Sequence, residues 1–223
     1  PEEGFLSGLR SICTRERALL IFDEVITGFR LGFAGAQGYY GVTPDLCTFG
    51  KIIGAGMPVG AYGGRREVME VVAPLGRVYQ AGTLSGNPVA MAAGLAALRI
   101  LRDHPDIYDK VNRLGDFFRA ELGKRIERLG APCRVTGVGS LSCLFFTGEP
   151  VRDYASAKTS DTEAFGRYFR HMLDRGIYVA PSQFEALFLS AAHKKEDIER
   201  ILAAAEEYFE TGNCEIGNCG NIR

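Results

Sequence analysis

Three stretches of the chain carry side chains whose types and spacing could do chemistry. Asp23 closes a wholly apolar run, Ala18-Leu19-Leu20-Ile21-Phe22. Open α/β sheets bind ligands just beyond the C-terminal ends of their strands, and a carboxylate there needs a partner because unpaired buried charge is costly. A capping or salt-bridged acid at a strand–loop junction would look the same. Lys51 stands among Gly50, Gly54 and Gly56 in the stretch Thr48 to Gly60. Missing side chains let a planar ligand or another backbone come close, and a lysine amine held there can form a Schiff base with a carbonyl. The alternative is a solvated lysine beside a glycine loop. Gly82-Thr83-Leu84-Ser85-Gly86-Asn87-Pro88 leads into a helix start. Free N–H groups and the helix dipole favour an anion there, with the two hydroxyls as further donors; equally, Asn87 is an ordinary cap.

Taken together, the three are the parts needed to hold pyridoxal phosphate. A lysine makes the imine, a carboxylate keeps a pyridinium nitrogen protonated, and a hydroxyl-bearing loop takes the phosphate. Two other phosphate motifs fail. A dinucleotide GxGxxG would need glycine at position 59, which is Val59. A P-loop ending at Gly50-Lys51 would need glycine at 45, which is Asp45, and Ser or Thr at 52, which is Ile52. His104, His171 and His193 are far apart, and the six cysteines (13, 47, 133, 143, 214 and 219) include no CxxC pair, so no metal site is expected.

The elements that must position these residues are legible as periodicities. Residues 5–16 have helical spacing, and 18–22 read as a strand buried on both faces, followed by strand candidates at 45–49 and 58–63. Asn87-Pro88 opens a helix running to about 102. After His104-Pro105 a long amphipathic helix spans about 106–129, its stripe running from Ile107 through Phe118 and Leu122 to Leu129. Strands are expected at 133–136, 141–146, 177–180 and 186–190, and helices at 161–175 and 195–209. Residues 1–103 therefore read as a mostly parallel α/β layer, 104–210 as a smaller α+β domain, and 211–223 as a frayed polar tail.

Composition narrows the class. The 223 residues carry 26 Lys+Arg and 27 Asp+Glu, a formal net charge of −1, which argues against nucleic acid or an anionic membrane as the main partner. Hydrophobic residues at 46% and charged residues at 24% are globular values. The uncharged stretch 81–98 contains Asn87 and Pro88 and does not read as a membrane span. Scattered cysteines imply reduced thiols and a cytoplasmic setting.

Asp23-Glu24-Val25-Ile26-Thr27-Gly28-Phe29-Arg30 and Lys51, 28 positions after Asp23, resemble the signature of the class III aminotransferases of pyridoxal phosphate fold type I. GKIIGAGMPVGAYGGRREVME (50–70), VYQAGTLSGNPVAMAAG (78–94) and the stretch 155–193, which includes APSQFEA, resemble the aminomutase branch of that family. The likeness runs over about 1–210. It implies a fold type I transferase: part of the large-domain, mostly parallel sheet, plus the C-terminal α+β small domain. Lys51 would bear the cofactor and shuttle protons, Asp23 would bind the pyridine nitrogen, and Val25 would pack on the ring. Gly82 and Thr83 would contact the phosphate of the partner subunit's cofactor, making the active unit a homodimer, and Glu185 would sit near substrate and cofactor. The implied reaction moves the amino group of a small amino-aldehyde, glutamate-1-semialdehyde, to give 5-aminolevulinate. It would start from pyridoxamine 5'-phosphate and consume no second amino donor. The resemblance would put the protein in the plastid stroma if its source were a plant or alga.

Members of the family are about twice this length, and the match is to their C-terminal part. The resemblance therefore implies that a substrate-carboxylate arginine, the main phosphate loop, a ring-stacking aromatic and a mobile lid lie outside residues 1–223, and that the chain alone is poorly soluble or inactive. Two other readings stand beside it: a class III aminotransferase for ω- or β-amino acids, and a non-catalytic interaction module.

Overall fold

A computed structural model of the chain describes residues 1–211. The expected frayed tail, with Cys214 and Cys219, lies, apart from Thr211, outside the described residues. The chain divides into two compact units, Pro1–Tyr108 and Asp109 onward.

The first unit is built on three strands, β1 (Ile21–Asp23), β2 (Leu46–Phe49) and β3 (Ala61–Gly64), in that spatial order. β1 and β2 run parallel, with Ile21 opposite Leu46 and Asp23 opposite Thr48. β2 and β3 run antiparallel, with Phe49 opposite Ala61. Helix α1 (Phe5–Arg15) precedes the sheet, α2 (Gly35–Tyr40) lies between β1 and β2, and α3 (Arg66–Met69) follows β3. A single 3-10 turn, Lys51–Gly54, leaves β2 directly. Helix α4 (Pro88–Asp103) packs against that turn. Its start follows from sequence: the Asn87 side chain accepts from Val89 N and Ala90 N at 3.1 Å, and Pro88 needs no donor at the first position.

One local expectation is corrected here. The run at 18–22 is not a strand buried on both faces. β1 starts at Ile21 and is the edge of the three-stranded sheet; Leu19 is exposed and Ile21 is 55% exposed, because nothing in the described chain covers that side.

The second unit carries most of helix α5 (Asp106–Arg128), then the antiparallel strands β4 (Arg134–Val138), β5 (Leu141–Phe145) and β6 (Leu187–Phe188). Helices α6 (Tyr154–Ala157), α7 (Thr162–Asp174) and α8 (Lys195–Glu210) complete it. Phe118, Leu122, Phe146, Met172, Leu202 and Tyr208 are among the side chains of its closed core. The amphipathic stripe read along α5 is the face that packs there: Phe118, Leu122 and Ile126 are buried, with Leu114 and Phe117 against them. The strand expected at 177–180 does not form. Ile177 and Val179 are buried with the alternation of a strand, yet the segment joins no sheet. Burial alone set that pattern.

Candidate active site

Asp23 and Lys51 reach one place because their strands are parallel neighbours. Asp23 is the last residue of β1 and faces Thr48 across the ladder; Lys51 follows two residues after β2 ends. Both stand at the C-terminal ends of parallel strands, the position at which open sheets bind ligands. Val25 lies beside the residue before the lysine: a β-carbon placed on Gly50 would lie 3.3 Å from Val25 Cγ1. Val25 is thus hydrogen-bonded to Asp23 through its N–H and lies beside the glycine that precedes the lysine.

The Asp23 carboxylate is held by one oxygen. Val25 N donates to Oδ1 at 3.0 Å and the Thr48 hydroxyl to the same atom at 3.3 Å. Among the described residues both bonds fall on Oδ1, which leaves Oδ2 for a ring N–H. The Lys51 side chain is exposed, and among the described residues its ammonium has no ion-pair or hydrogen-bond partner. Its backbone is unusual: φ is +49°, a left-handed conformation that few non-glycine residues adopt.

Beneath these residues lie two acids that carry structure. Glu24 is buried at 1% exposure. Its Oε2 accepts from Ala36 N at 2.7 Å and Thr27 Oγ1 at 2.8 Å, and Oε1 accepts from Gln37 N at 3.1 Å. It therefore ties the segment after β1 to the start of α2. Asp45, just before β2, accepts from Leu20 N and Arg10 Nη1 at 2.7 Å each and from Arg65 Nη1 at 2.9 Å. The Leu20 N–H and then the two guanidiniums hold its carboxyl well below the usual carboxylate range.

Of the two readings of the loop before α4, the structure shows the Asn87 cap. The first free N–H groups of α4 are not available, because Asn87 Oδ1 already takes them. Residues 82–86 form turns of their own, Ser85 N to Gly82 O at 2.9 Å and Asn87 N to Leu84 O at 3.1 Å, with Gly82 and Thr83 exposed. An anion at this loop would meet its hydroxyls and turn, not the end of α4.

Glu185 belongs to the second unit. Its side chain is exposed, at the end of a turn closed by Glu185 N to Ser182 O at 3.2 Å. The turn is fastened to β5 by Gln183, a buried amide whose Oε1 accepts from Phe146 N at 3.1 Å and whose Nε2 donates to Leu144 O at 2.6 Å. The Cys143 thiol, pushed up to about 11 by burial, points at the Gln183 and Glu185 carbonyls at 3.6 Å. Sequence reasoning picked out Glu185 but not Gln183. A side-chain amide pairing with a strand 37 to 39 positions away leaves no periodic signal.

Comparison with known proteins follows the same lines. The family model for class III aminotransferases matches residues 1–205, and the chain belongs to that family. At the level of individual relatives, the chain is 62% identical over 209 residues to a protein of Lachnoclostridium phytofermentans named glutamate-1-semialdehyde 2,1-aminomutase 2, covering 94% of this chain and 49% of that one. A namesake from Acetivibrio thermocellus is 59% identical, with 94% and 48% covered. The chain thus spans about half the length of the curated relatives it matches. Among solved structures, an omega-transaminase from Sphaerobacter thermophilus superposes with a TM-score of 0.81 at 36% identity, over 94% of this chain and 48% of that one. A glutamate-1-semialdehyde-aminomutase from Pseudomonas aeruginosa PAO1 in complex with PMP does so with a TM-score of 0.83 at 27% identity, over 96% and 49%. Family membership and neighbours with bound PLP or PMP make pyridoxal phosphate the cofactor of this fold. The residues fit part of such a group: an amine exposed and unpaired among the described residues, a carboxylate with one oxygen open, and an aliphatic side chain beside the glycine that precedes the lysine.

Proposed function

We propose that this chain supplies the cofactor-lysine half of a glutamate-1-semialdehyde 2,1-aminomutase. The observation that carries the reading is the placement of Asp23 and Lys51 at the C-terminal ends of the neighbouring parallel strands β1 and β2, in a chain 62% identical to a protein of that name. When bound, pyridoxal phosphate supplies an electron sink for the carbon bearing the amino group.

The chain's own residues would act around it. Lys51 Nζ holds the cofactor covalently and, when released, carries a proton to and from the substrate carbon. Asp23 Oδ2 accepts from the ring nitrogen and keeps it protonated, while Val25 and Thr48 fix the carboxylate through Oδ1. Val25 also packs on the ring. Gly82 and Thr83 reach a phosphate on a second subunit in a homodimer, and Glu185 lies by the substrate. The substrate is a small amino-aldehyde whose amino group would be moved within the molecule, with the cofactor held in its pyridoxamine form and no outside donor needed. This is tetrapyrrole-precursor chemistry in the cytoplasm, in keeping with the bacterial relatives.

The test is turnover of glutamate-1-semialdehyde by the complete protein without any added amino donor. Turnover that Lys51→Ala lowers by about 1,000-fold or more supports the reading. Activity that appears only with an added donor supports a second reading, an aminotransferase for ω- or β-amino acids. The observation favouring that alternative is the similar fit to a beta-phenylalanine aminotransferase from Variovorax paradoxus, with a TM-score of 0.84 at 34% identity.

A further inference from the structure

Helix α4 crosses the 3-10 turn at a distance that only glycine permits. A β-carbon on Gly94 would stand 2.2 Å from the main-chain oxygen of Ile53, 3.4 Å from its carbonyl carbon and 3.9 Å from Gly54 Cα. Ile53 and Gly54 are both buried. A main-chain oxygen cannot swing aside as a side-chain end can, so the helix fixes how high this turn sits.

The turn is the one that begins with Lys51. It is short and stiff, closed by Ile53 N to Gly50 O at 3.3 Å and Ala55 N to Ile52 O at 3.0 Å. Two further side chains crowd it. Gly50 meets Val25, and a β-carbon on Gly54 would lie 3.3 Å from Val59 Cβ. Within this clamp Lys51 holds its φ of +49°, a conformation that costs a non-glycine residue energy and persists where the surroundings over-determine it.

We infer that Gly94 is a positioning residue for Lys51: by letting α4 touch the main chain at Ile53, it sets the backbone conformation from which the lysine amine is presented. The proposal rests on the reading of Lys51 as the cofactor lysine. A displacement of about 1 Å at a reacting group can cost about a hundredfold, so one added methyl group has the leverage required.

The test takes the complete protein with free pyridoxal phosphate as the probe, followed by borohydride reduction and peptide mapping. It is run at a temperature at which circular dichroism shows each variant folded. In Gly94→Ala, label on Lys51 is expected to fall about tenfold while label on the other lysines stays the same. A second readout needs no cofactor. The Lys51 Cα chemical shift, which follows φ and ψ, is expected to move in Gly94→Ala, while that of Arg17, another left-handed residue at φ +54°, does not. An unmoved Lys51 shift overturns the proposal, and so does a moved shift with undiminished labelling. Wild-type label no higher on Lys51 than elsewhere overturns the cofactor reading itself, and the proposal with it. If Gly94→Ala does not fold, Ala90→Val takes its place under the same criteria. Ala90 is buried at 1% exposure one turn earlier on the same face of α4 and wedges the helix more gently.

Discussion

Asp45 accepts hydrogen bonds from Leu20 N, Arg10 and Arg65, and so joins α1, the approach to β1 and the residue after β3 at one carboxylate. Its carboxyl is held below the usual range, first by the Leu20 N–H and then by the two guanidiniums. The linkage has a definite sign. A depressed folded-state value contributes stability that is full above the unfolded value of about 3.9 and is lost as pH falls below it toward the folded value. Urea melts between pH 7 and pH 2 are therefore expected to show the first unit weakening below about pH 4. Asp45→Asn should cost about 3 kcal/mol at pH 7, since it leaves buried donors and a charge without their partner, and should flatten that acid limb. Arg65 is half-exposed, so Arg65→Ala should cost less than Asp45→Asn. Equal losses from the two variants would contradict this ranking. In the second unit Gln183 is the corresponding anchor. Gln183→Ala should cost about 2 kcal/mol, because it strands Phe146 N and Leu144 O in a buried setting. Hydrogen exchange should show faster exchange at Glu185 N, the amide that closes its turn. At this scale the sequence revealed residues whose type is itself a signal: a lysine among glycines and an acid after an apolar run. Glu24, Asp45 and Gln183 stayed hidden because their importance lies in partners brought from elsewhere in the chain.

Among the elements, the long helices were legible because each must turn one apolar stripe inward. The spans read at 5–16, 88–102, 106–129, 161–175 and 195–209 correspond to α1, α4, α5, α7 and α8 within one or two residues at each end. The short ones were not. α2, α3, α6 and the 3-10 turn are each too brief for a period to declare itself. Strand partners were equally invisible: Ile177 and Val179 alternate as a strand would but find no ladder, and the direction of β3 against β2 is set by the loop between them. Capping shows how one element can be tested alone. Asn87→Ala is expected to cost about 1 kcal/mol by freeing Val89 N and Ala90 N. The same change would open the end of α4 to anions. Sulfate binding that rises in Asn87→Ala and is missing in the wild type would show that the cap, not the loop, now controls access.

At the scale of the whole molecule, the two units differ in how well they bury their apolar side chains. The core cluster is drawn entirely from the second unit. The first unit shows Ile12, Leu19, Ile21, Val89, Met91 and Leu95 among its exposed large apolar residues, with β1 as an open sheet edge. Exposed apolar surface and an unpaired edge favour association. Light scattering on the isolated chain is accordingly expected to show aggregates that grow with concentration. A stable monomer at high concentration would contradict this.

A core drawn wholly from residues after Asp109 also has a consequence in time. The ribosome delivers the first unit before any of the residues that build that core, and at about 5–20 residues per second the second unit takes on the order of ten seconds to follow. Through that interval the first unit, with its exposed Lys51 and the open edge of β1, is made before that core exists. Chaperone occupancy along the messenger, read by ribosome profiling of a chaperone-bound fraction, is expected to begin while the first unit is emerging and to decline only after the codons for α8 have passed.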